Sequence, residues 1–332
     1  MSKRGEKIKK VLVVIASYSA FKPPLEKALK TLNIQVTFFD NRSTILFEKF
    51  LFAIALLYSP LYQFATNNIN KRLIRKVNRL KPDLVLVSKG ENISGTTVKK
   101  ISAKVTIVNW FTDLFSDYKR IEEWLSAYTL FFTQDRSDVN SYRKKGYSRL
   151  YCLPYAGSLI KSQPDNRSHD IVFIGSFSKQ RESLFKTLDP LEIEIWGDKK
   201  WSTSKLKKRY MGKWLSHQEI EQVLKNSKIV VNHHQNRVLN LRVYEATSAG
   251  ALLITDYSPD LRYMYKVGKE VILYKNPNDL SKKVKYYLER DSLRKNIALA
   301  GYIRAKNDHN YVNRLQTMFS IVDKNVFFNH KD

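Results

Sequence analysis

Short runs of apolar, mostly β-branched residues alternate along this chain with stretches whose apolar positions recur every three or four residues. The first pattern is that of a strand buried on both faces, the second that of a helix with one face on a core. In the first half, strands are expected at Val11–Ala16, Ile34–Phe39, Asp83–Val87, Val105–Asn109 and Leu130–Thr133, with a short one at Leu150–Leu153. Helices are expected over Pro24–Leu32, Ile69–Leu80 and Ser137–Lys145. A second series opens with Ile171–Ile174 and continues through Leu191–Trp196, Ile229–Val231, Ala251–Thr255 and Val271–Tyr274. Helical periodicity closes the chain from Asn278 onward. Between the two series lies Leu153–Asp170, a stretch with two prolines and many polar residues that reads as a linker.

Strands alternating with helices build parallel sheets from βα units. Two such series in 332 residues imply an α/β fold of two Rossmann-like domains facing an interdomain cleft. The expected boundaries are 1–155 and 156–311, with a C-terminal helix at about 312–330 packing back on the first domain. Open sheets of this kind bind ligands beyond the carboxyl ends of their strands, so the chemistry is sought there.

Charge changes the picture next. Lys and Arg number 58 against 31 Asp and Glu, a formal net charge of +27, which calls for a partner of negative character: nucleic acid, anionic lipid or a phosphorylated substrate. The first 80 residues hold fifteen Lys/Arg and four Asp/Glu, a net +11. The one cysteine, Cys152, excludes an intrachain disulfide framework and a cysteine-based zinc site and suits a reducing, cytoplasmic setting. The start imitates a signal peptide, but Val11–Ala16 is too short an apolar run and reads as a first buried strand. Residues 46–66 are strongly apolar, although Glu48, Lys49, Ser59 and Pro60 interrupt a membrane span. In the helix that follows, Ile69, Leu73, Val77 and Leu80 line one face and Lys71, Arg72, Arg75, Lys76 and Arg79 the other. That is a core-packed helix with a solvated basic face, or an attachment to an anionic membrane surface.

At the strand ends, Gly175-Ser176-Phe177-Ser178-Lys179-Gln180-Arg181 combines a glycine turn, two capping serines and two cations, which suits a phosphate or equally an ordinary capped turn. Farther on, His233 and His234 directly follow a strand and are ligand-facing candidates. Adjacent histidines point to opposite sides of an extended chain, so a two-histidine metal site is not expected. In "NLRVYEATSAGALLITD", Arg242 and Glu245 stand three apart on one helix surface. They form either a plain ion pair or a carboxylate placed for the vicinal hydroxyls of a ribose. In the first half, "NWFTDLFSD" sets Asp113 and Asp117 past a strand, Asp113 being the catalytic candidate, placed to deprotonate an acceptor hydroxyl, and Asp117 the better helix cap. Lys89 and Glu91 of "SKGEN" lie at a neighbouring strand end. His217 reads as structural.

The stretch "NLRVYEATSAGALLITDYSPDLRYMYKVGKEVILYKNPNDL" resembles the C-terminal domain of GT-B glycosyltransferases, in particular the CgeB-like (spore maturation protein-like) group. "DIVFIGSFSKQRESLF", "VLVSKG", "VNWFTDLFSDY" and the closing "RAKNDHNYVNRL", with its His-x-Tyr-x-x-Arg spacing, extend the resemblance from about residue 83 to the tail. It implies a GT-B fold and a glycosyltransferase that takes a nucleotide-sugar donor in the second domain and a glycan, lipid-linked or protein acceptor in the first. It implies no bound metal and no cofactor beyond the donor itself. By the same resemblance Glu245 holds the donor ribose, Arg181 and Arg242 meet the diphosphate, and Gly175 and Ser176 lie beneath it. In relatives with an E-x7-E pattern another glutamate precedes; its place here is read as Val238, flanked by Arg237, which leaves retention or inversion open. A sugar-nucleotide epimerase or hydrolase on the same fold is the alternative. A basic nucleic-acid-binding protein is the other class, but no helix-turn-helix, finger or RNP signature supports it.

Overall fold

The computed structural model describes residues 8–42, 59–119, 121–160, 164 and 166–328. The apolar stretch at 46–58 therefore lies outside the described residues. The chain divides into two compact units, one running to Pro154 and resumed from Arg314, the other formed by Tyr155–Asn313.

In the first unit, strands β1 (Lys10–Val14), β2 (Gln35–Phe39), β3 (Leu84–Ser88), β4 (Thr106–Phe111), β5 (Leu130–Thr133) and β6 (Leu150–Cys152) form one parallel sheet in the order β2-β1-β3-β4-β5-β6. Four of the five residues in β1, and four of five in β3, are fully buried, as the unbroken β-branched runs require when helices cover both faces. The helices are α1 (Lys22–Thr31), α2 (Ser59–Leu80), α3 (Gly95–Ser102), α4 (Ile121–Ala127) and α5 (Arg136–Lys144). Helix α1 starts on a Pro-Pro pair, whose missing N–H groups a first turn does not use. In α2, Ala65, Ile69, Leu73 and Val77 are buried while Lys71, Arg75 and Arg79 are exposed. The periodic face is thus a core face and the basic face is solvated. Its helix begins ten residues before the expected Ile69.

The second unit holds β7 (His169–Gly175), β8 (Glu194–Gly197), β9 (Ser227–Val231), β10 (Leu252–Thr255) and β11 (Ile272–Leu273), again all parallel, ordered β11-β10-β9-β7-β8. Its helices are α6 (Lys179–Phe185), α7 (His217–Lys225), α8 (Leu241–Ser248), α9 (Leu261–Met264), α10 (Pro277–Leu288) and α11 (Asp291–Asp308); α12 (Tyr311–Phe328) runs on into the first unit's share of the chain. The strand expected at Leu191–Trp196 is shorter. Leu191 ends a 3-10 turn and Glu192 takes the left-handed region, φ +59°, so pairing begins only at Glu194. Helix α7 opens with a reciprocal cap, Ser216 accepting from the Glu219 N–H while Glu219 reaches back to Ser216. On the first sheet the order reverses direction between β1 and β3, on the second between β7 and β9. Those reversals are where an open α/β sheet leaves a crevice.

Candidate functional site

At the reversal of the second sheet, β7 ends on Gly175 and hands the chain to Ser176, and β9 hands it to Asn232, His233 and His234. Two glycines let the strand ends close up. Gly197 has φ +125°, and a Cβ there would run into the carbonyl oxygen of Gly175. Ser178 accepts from the Arg181 N–H at 3.2 Å and starts α6, a helix of seven residues, too short to carry a dipole-based anion site.

The structure uses Arg181 differently from a simple phosphate hand. Its side chain is buried, Nη1 donates to the Ser176 carbonyl at 3.0 Å and Nη2 to the His233 carbonyl at 2.6 Å. The guanidinium also stacks over Phe173, 5.1 Å from the ring centroid. Arg181 therefore ties the β7 and β9 exits together, and burial holds its pKa below the usual range against the nearby charge of Asp256. Sequence patterning pointed to the residue because it follows a glycine turn, and could not show that Nη1 and Nη2 donate to backbone carbonyls while the buried Nε has no partner among the described residues.

The two histidines do not diverge. Strand β9 ends at Val231, and beyond it His233 Nδ1 and His234 Nδ1 lie 3.2 and 2.6 Å from the same carboxylate, Asp256, at the end of β10. The expectation of opposite sides holds only for extended backbone. Asp256 also accepts from the His234 backbone N–H at 3.0 Å. Burial pushes this carboxyl up, but the two imidazoles, the charge on His234 and that N–H outweigh it and hold the pKa well below the ordinary value. Tyr274, after β11, closes the group: its hydroxyl is 2.9 Å from His233 Nδ1 and donates to the Asn232 carbonyl at 3.3 Å. Asn232 in turn reaches Thr255 Oγ1 at 3.0 Å and accepts from Asn240 at 2.9 Å. Asp256 and Tyr274 were not among the sequence candidates, although each sits at a strand end, which was the available signal.

A cavity of about 1090 Å³ opens over these strand ends, with His233, Asp256, Tyr274, Lys179, Arg237 and Lys275 in its walls. No carboxylate ion-pairs with Lys179, Arg237 or Lys275 among the described residues, and the one carboxylate of the wall is taken by two histidines. The cavity is therefore electropositive. Arg237 also corrects a count. Seven residues between two glutamates lead back from Glu245 to position 237, so the E-x7-E place is occupied by a cation and not by Val238.

Glu245 lies on α8 as the spacing of the stretch implies. Its Oε2 accepts from Arg242 Nη1 at 2.6 Å, and the two side chains are only 10% and 13% exposed. This is a largely desolvated pair, unlike the exposed i, i+3 bridge of a solvated helix. The residues after it pack as small residues can: Ala246, Ser248 and Ala249 are buried, Gly250 ends the helix at φ +67°, and Gly157 approaches so closely that a Cβ would strike Ser248 and the Tyr244 carbonyl. Tyr311 is buried with them; burial, then the charge of Glu245, holds its hydroxyl well above the ordinary tyrosine range. In the closing motif His309 Nε2 meets the Met264 carbonyl at 2.7 Å, and Arg314 Nε donates to the Pro154 carbonyl at 3.0 Å.

His217 is the first residue of α7, with Nε2 3.1 Å from Glu221 and 3.4 Å from Ser158 Oγ, a structural placement. In the first unit, Asp113 follows β4, which runs two residues past the expected Asn109. Its Oδ2 accepts from Tyr118 at 2.6 Å and pairs with Lys89 Nζ at 2.7 Å. Glu91 pairs with Arg42 at 3.0 Å. Asp117 ends a 3-10 turn. Among the described residues no group of three or more His, Cys, Asp or Glu is placed to hold a metal ion.

Residues 179–320, less than half of the chain, match a family model described as glycosyl transferase-like. No curated protein matches the sequence. Solved structures share the fold at low identity. Anabaena HepE, in complex with UDP and glucose, aligns with a TM-score of 0.60 and 11% identity over 95% of this chain and 100% of that one. Sucrose-phosphate synthase of Thermosynechococcus elongatus aligns at 0.64 and 10% over 95% and 98%. The S. aureus MnaA–UDP complex aligns at 0.55 and 13%, also over 95% and 98%. The chain thus has the α/β fold of GT-B glycosyltransferases, with residues 179–320 similar to the glycosyl transferase-like family.

Proposed function

We propose that this chain is a glycosyltransferase of the CgeB-like group, moving a sugar from a nucleotide-sugar donor to a hydroxyl acceptor in cell-envelope, polysaccharide or glycoconjugate synthesis. Two features of the second unit carry the reading: a desolvated carboxylate, Glu245 on Arg242, and an electropositive cavity walled by Lys179, Arg237 and Lys275, which no carboxylate ion-pairs among the described residues. Glu245 suits the ribose hydroxyls, and the cations suit the diphosphate. Gly175, Ser176, His233 and His234 complete the donor region, Arg181 holding its backbone in shape. HepE bound to UDP and to UDP-glucose supports a uridine nucleotide as the first donor to try. The first unit is the acceptor side in this reading, with Asp113, held by Lys89 and Tyr118, as a hydrogen-bonding partner for the acceptor. The exposed basic face of α2 offers attachment to an anionic membrane surface, where a lipid-linked acceptor would lie. No described helix is long and apolar enough to cross a membrane.

A thermal-shift screen across UDP-, GDP-, dTDP- and CMP-sugars tests the donor site, because a ligand of the folded state raises the melting temperature by mass action. At least one nucleotide is expected to stabilise the protein, and Glu245→Gln to reduce that shift relative to its own unliganded melting point. Stabilisation by none, with salt-sensitive retention of RNA or DNA instead, overturns the reading. Hydrolysis or isomerisation of the donor without any acceptor replaces it by the epimerase or hydrolase alternative.

A further inference from the structure

The cavity wall holds an imidazole whose orientation is over-determined and whose outer nitrogen is unused. Asp256 is ionised, so the histidine nitrogens that face it must carry hydrogens; two lone pairs 3.2 Å apart would repel. The Tyr274 hydroxyl gives its proton to the Asn232 carbonyl and therefore also receives from His233 Nδ1. Both partners assign His233 the Nδ1–H tautomer, which leaves a lone pair on Nε2. That atom has no protein partner among the described residues, and the side chain, 23% exposed, lines the cavity. His234 differs: its side chain is 1% exposed and its Nε2 faces the Asn232 amide at 3.4 Å, so it braces Asp256 and has no free nitrogen.

We propose that His233 is the proton acceptor of this site, its Nε2 taking the proton of the hydroxyl that is glycosylated. The inference rests on the glycosyl-transfer reading above. In the step, the acceptor O–H bond breaks and its proton goes to Nε2. The oxygen forms a bond to the anomeric carbon, the bond from that carbon to the donor phosphate breaks, and its electron pair leaves with the nucleoside diphosphate. The imidazolium then stands against Asp256, the stabilising arrangement of an Asp–His pair. Lys179, Arg237 and Lys275 share the cavity wall with His233, and the Arg181 guanidinium stands behind its carbonyl, so the cations are placed to meet the leaving diphosphate.

Nitrogen-15 NMR of the full chain, histidine-labelled, reads the tautomer without any ligand: Nδ1–H at neutral pH is expected for His233, and Nε2–H overturns the proposal. Diethyl pyrocarbonate with mass mapping is expected to acylate His233 well before His234, and 5 mM UDP to slow it; an inert His233 also overturns it. In UDP-glucose turnover, His233→Ala is expected to lower kcat by about 10²–10⁴-fold with little change in KM, with added imidazole restoring part of the rate. An unchanged kcat refutes the role, as does a loss that imidazole does not rescue in a variant melting like the wild type. Asp256→Asn should lower kcat and shift the acid limb of the pH–rate profile downward. If the wild type binds none of the UDP-, GDP-, dTDP- and CMP-sugars and turns none of them over, the donor reading fails, while the tautomer and acylation results still decide whether the nitrogen is poised.

Discussion

Glu245→Ala is the perturbation that separates a desolvated functional pair from a surface bridge. The carboxylate and the Arg242 guanidinium meet at 2.6 Å with 10% and 13% of their side chains exposed. Arg242 Nε is already buried without a hydrogen-bond partner. Removing the carboxylate leaves a nearly buried cation with little compensation, and breaking such pairs costs about 3–5 kcal/mol. The residual exposure puts this pair at the low end, about 3 kcal/mol. For a folding unit of this size, each kcal/mol lowers the melting temperature by roughly 2–4 °C, so Glu245→Ala should melt about 6–12 °C below the wild type. An exposed i, i+3 bridge would lose less than about 2 °C, a few tenths of a kcal/mol. The double variant Arg242→Met/Glu245→Leu removes both charges and should recover most of the loss, because the penalty lies in the orphaned charge and not in a missing attraction. Differential scanning calorimetry of the two single variants and the double one completes the cycle. A Glu245→Ala melting point within about 2 °C of the wild type, or a double variant no more stable than the single, would refute the claim that the pair is desolvated.

Asp138 has a carboxyl pushed up to about 7, by burial first and then by the charge of Asp135. A raised acid stabilises the fold below its unfolded value and loses that contribution as pH rises through about 7. Asp138→Asn should therefore gain stability relative to the wild type at pH 8 and little at pH 4, and urea midpoints showing the opposite trend would sink this. Gly197→Ala should destabilise the second unit by more than about 1 kcal/mol, from its left-handed φ together with the backbone collision at Gly175, and equal denaturation midpoints would contradict the close approach. Ser216→Ala should cost about 1 kcal/mol through the lost reciprocal cap, with Ser216→Gly milder, as chemical denaturation can measure.

The legible part of this protein was its skeleton. Leu130–Thr133 falls where the apolar run lies, and most other strands differ by a residue or two, because a strand covered on both faces must be apolar along its whole length. Leu191 misled for a local reason: it is apolar and next to a strand, but the left-handed Glu192 breaks the pairing. Glu245 and Arg242 were also legible, since helical spacing alone sets residues three apart side by side. Order along the chain could not reveal what depends on strands adjacent in space. Asp256 stands 22 residues from His234, and Tyr274 stands 41 from His233, yet the parallel register of β9, β10 and β11 brings all of them to one edge. The expectation that the two histidines diverge did not hold, because both Nδ1 atoms reach Asp256 past the end of β9, and Arg181 Nη1 and Nη2 find carbonyls from two strand exits that sequence order does not show. Periodicity is a property of neighbours in sequence and is set by backbone geometry. A proton network is a property of neighbours across a sheet, and only the packing of the βα units decides which carboxylate, phenol and imidazole share it.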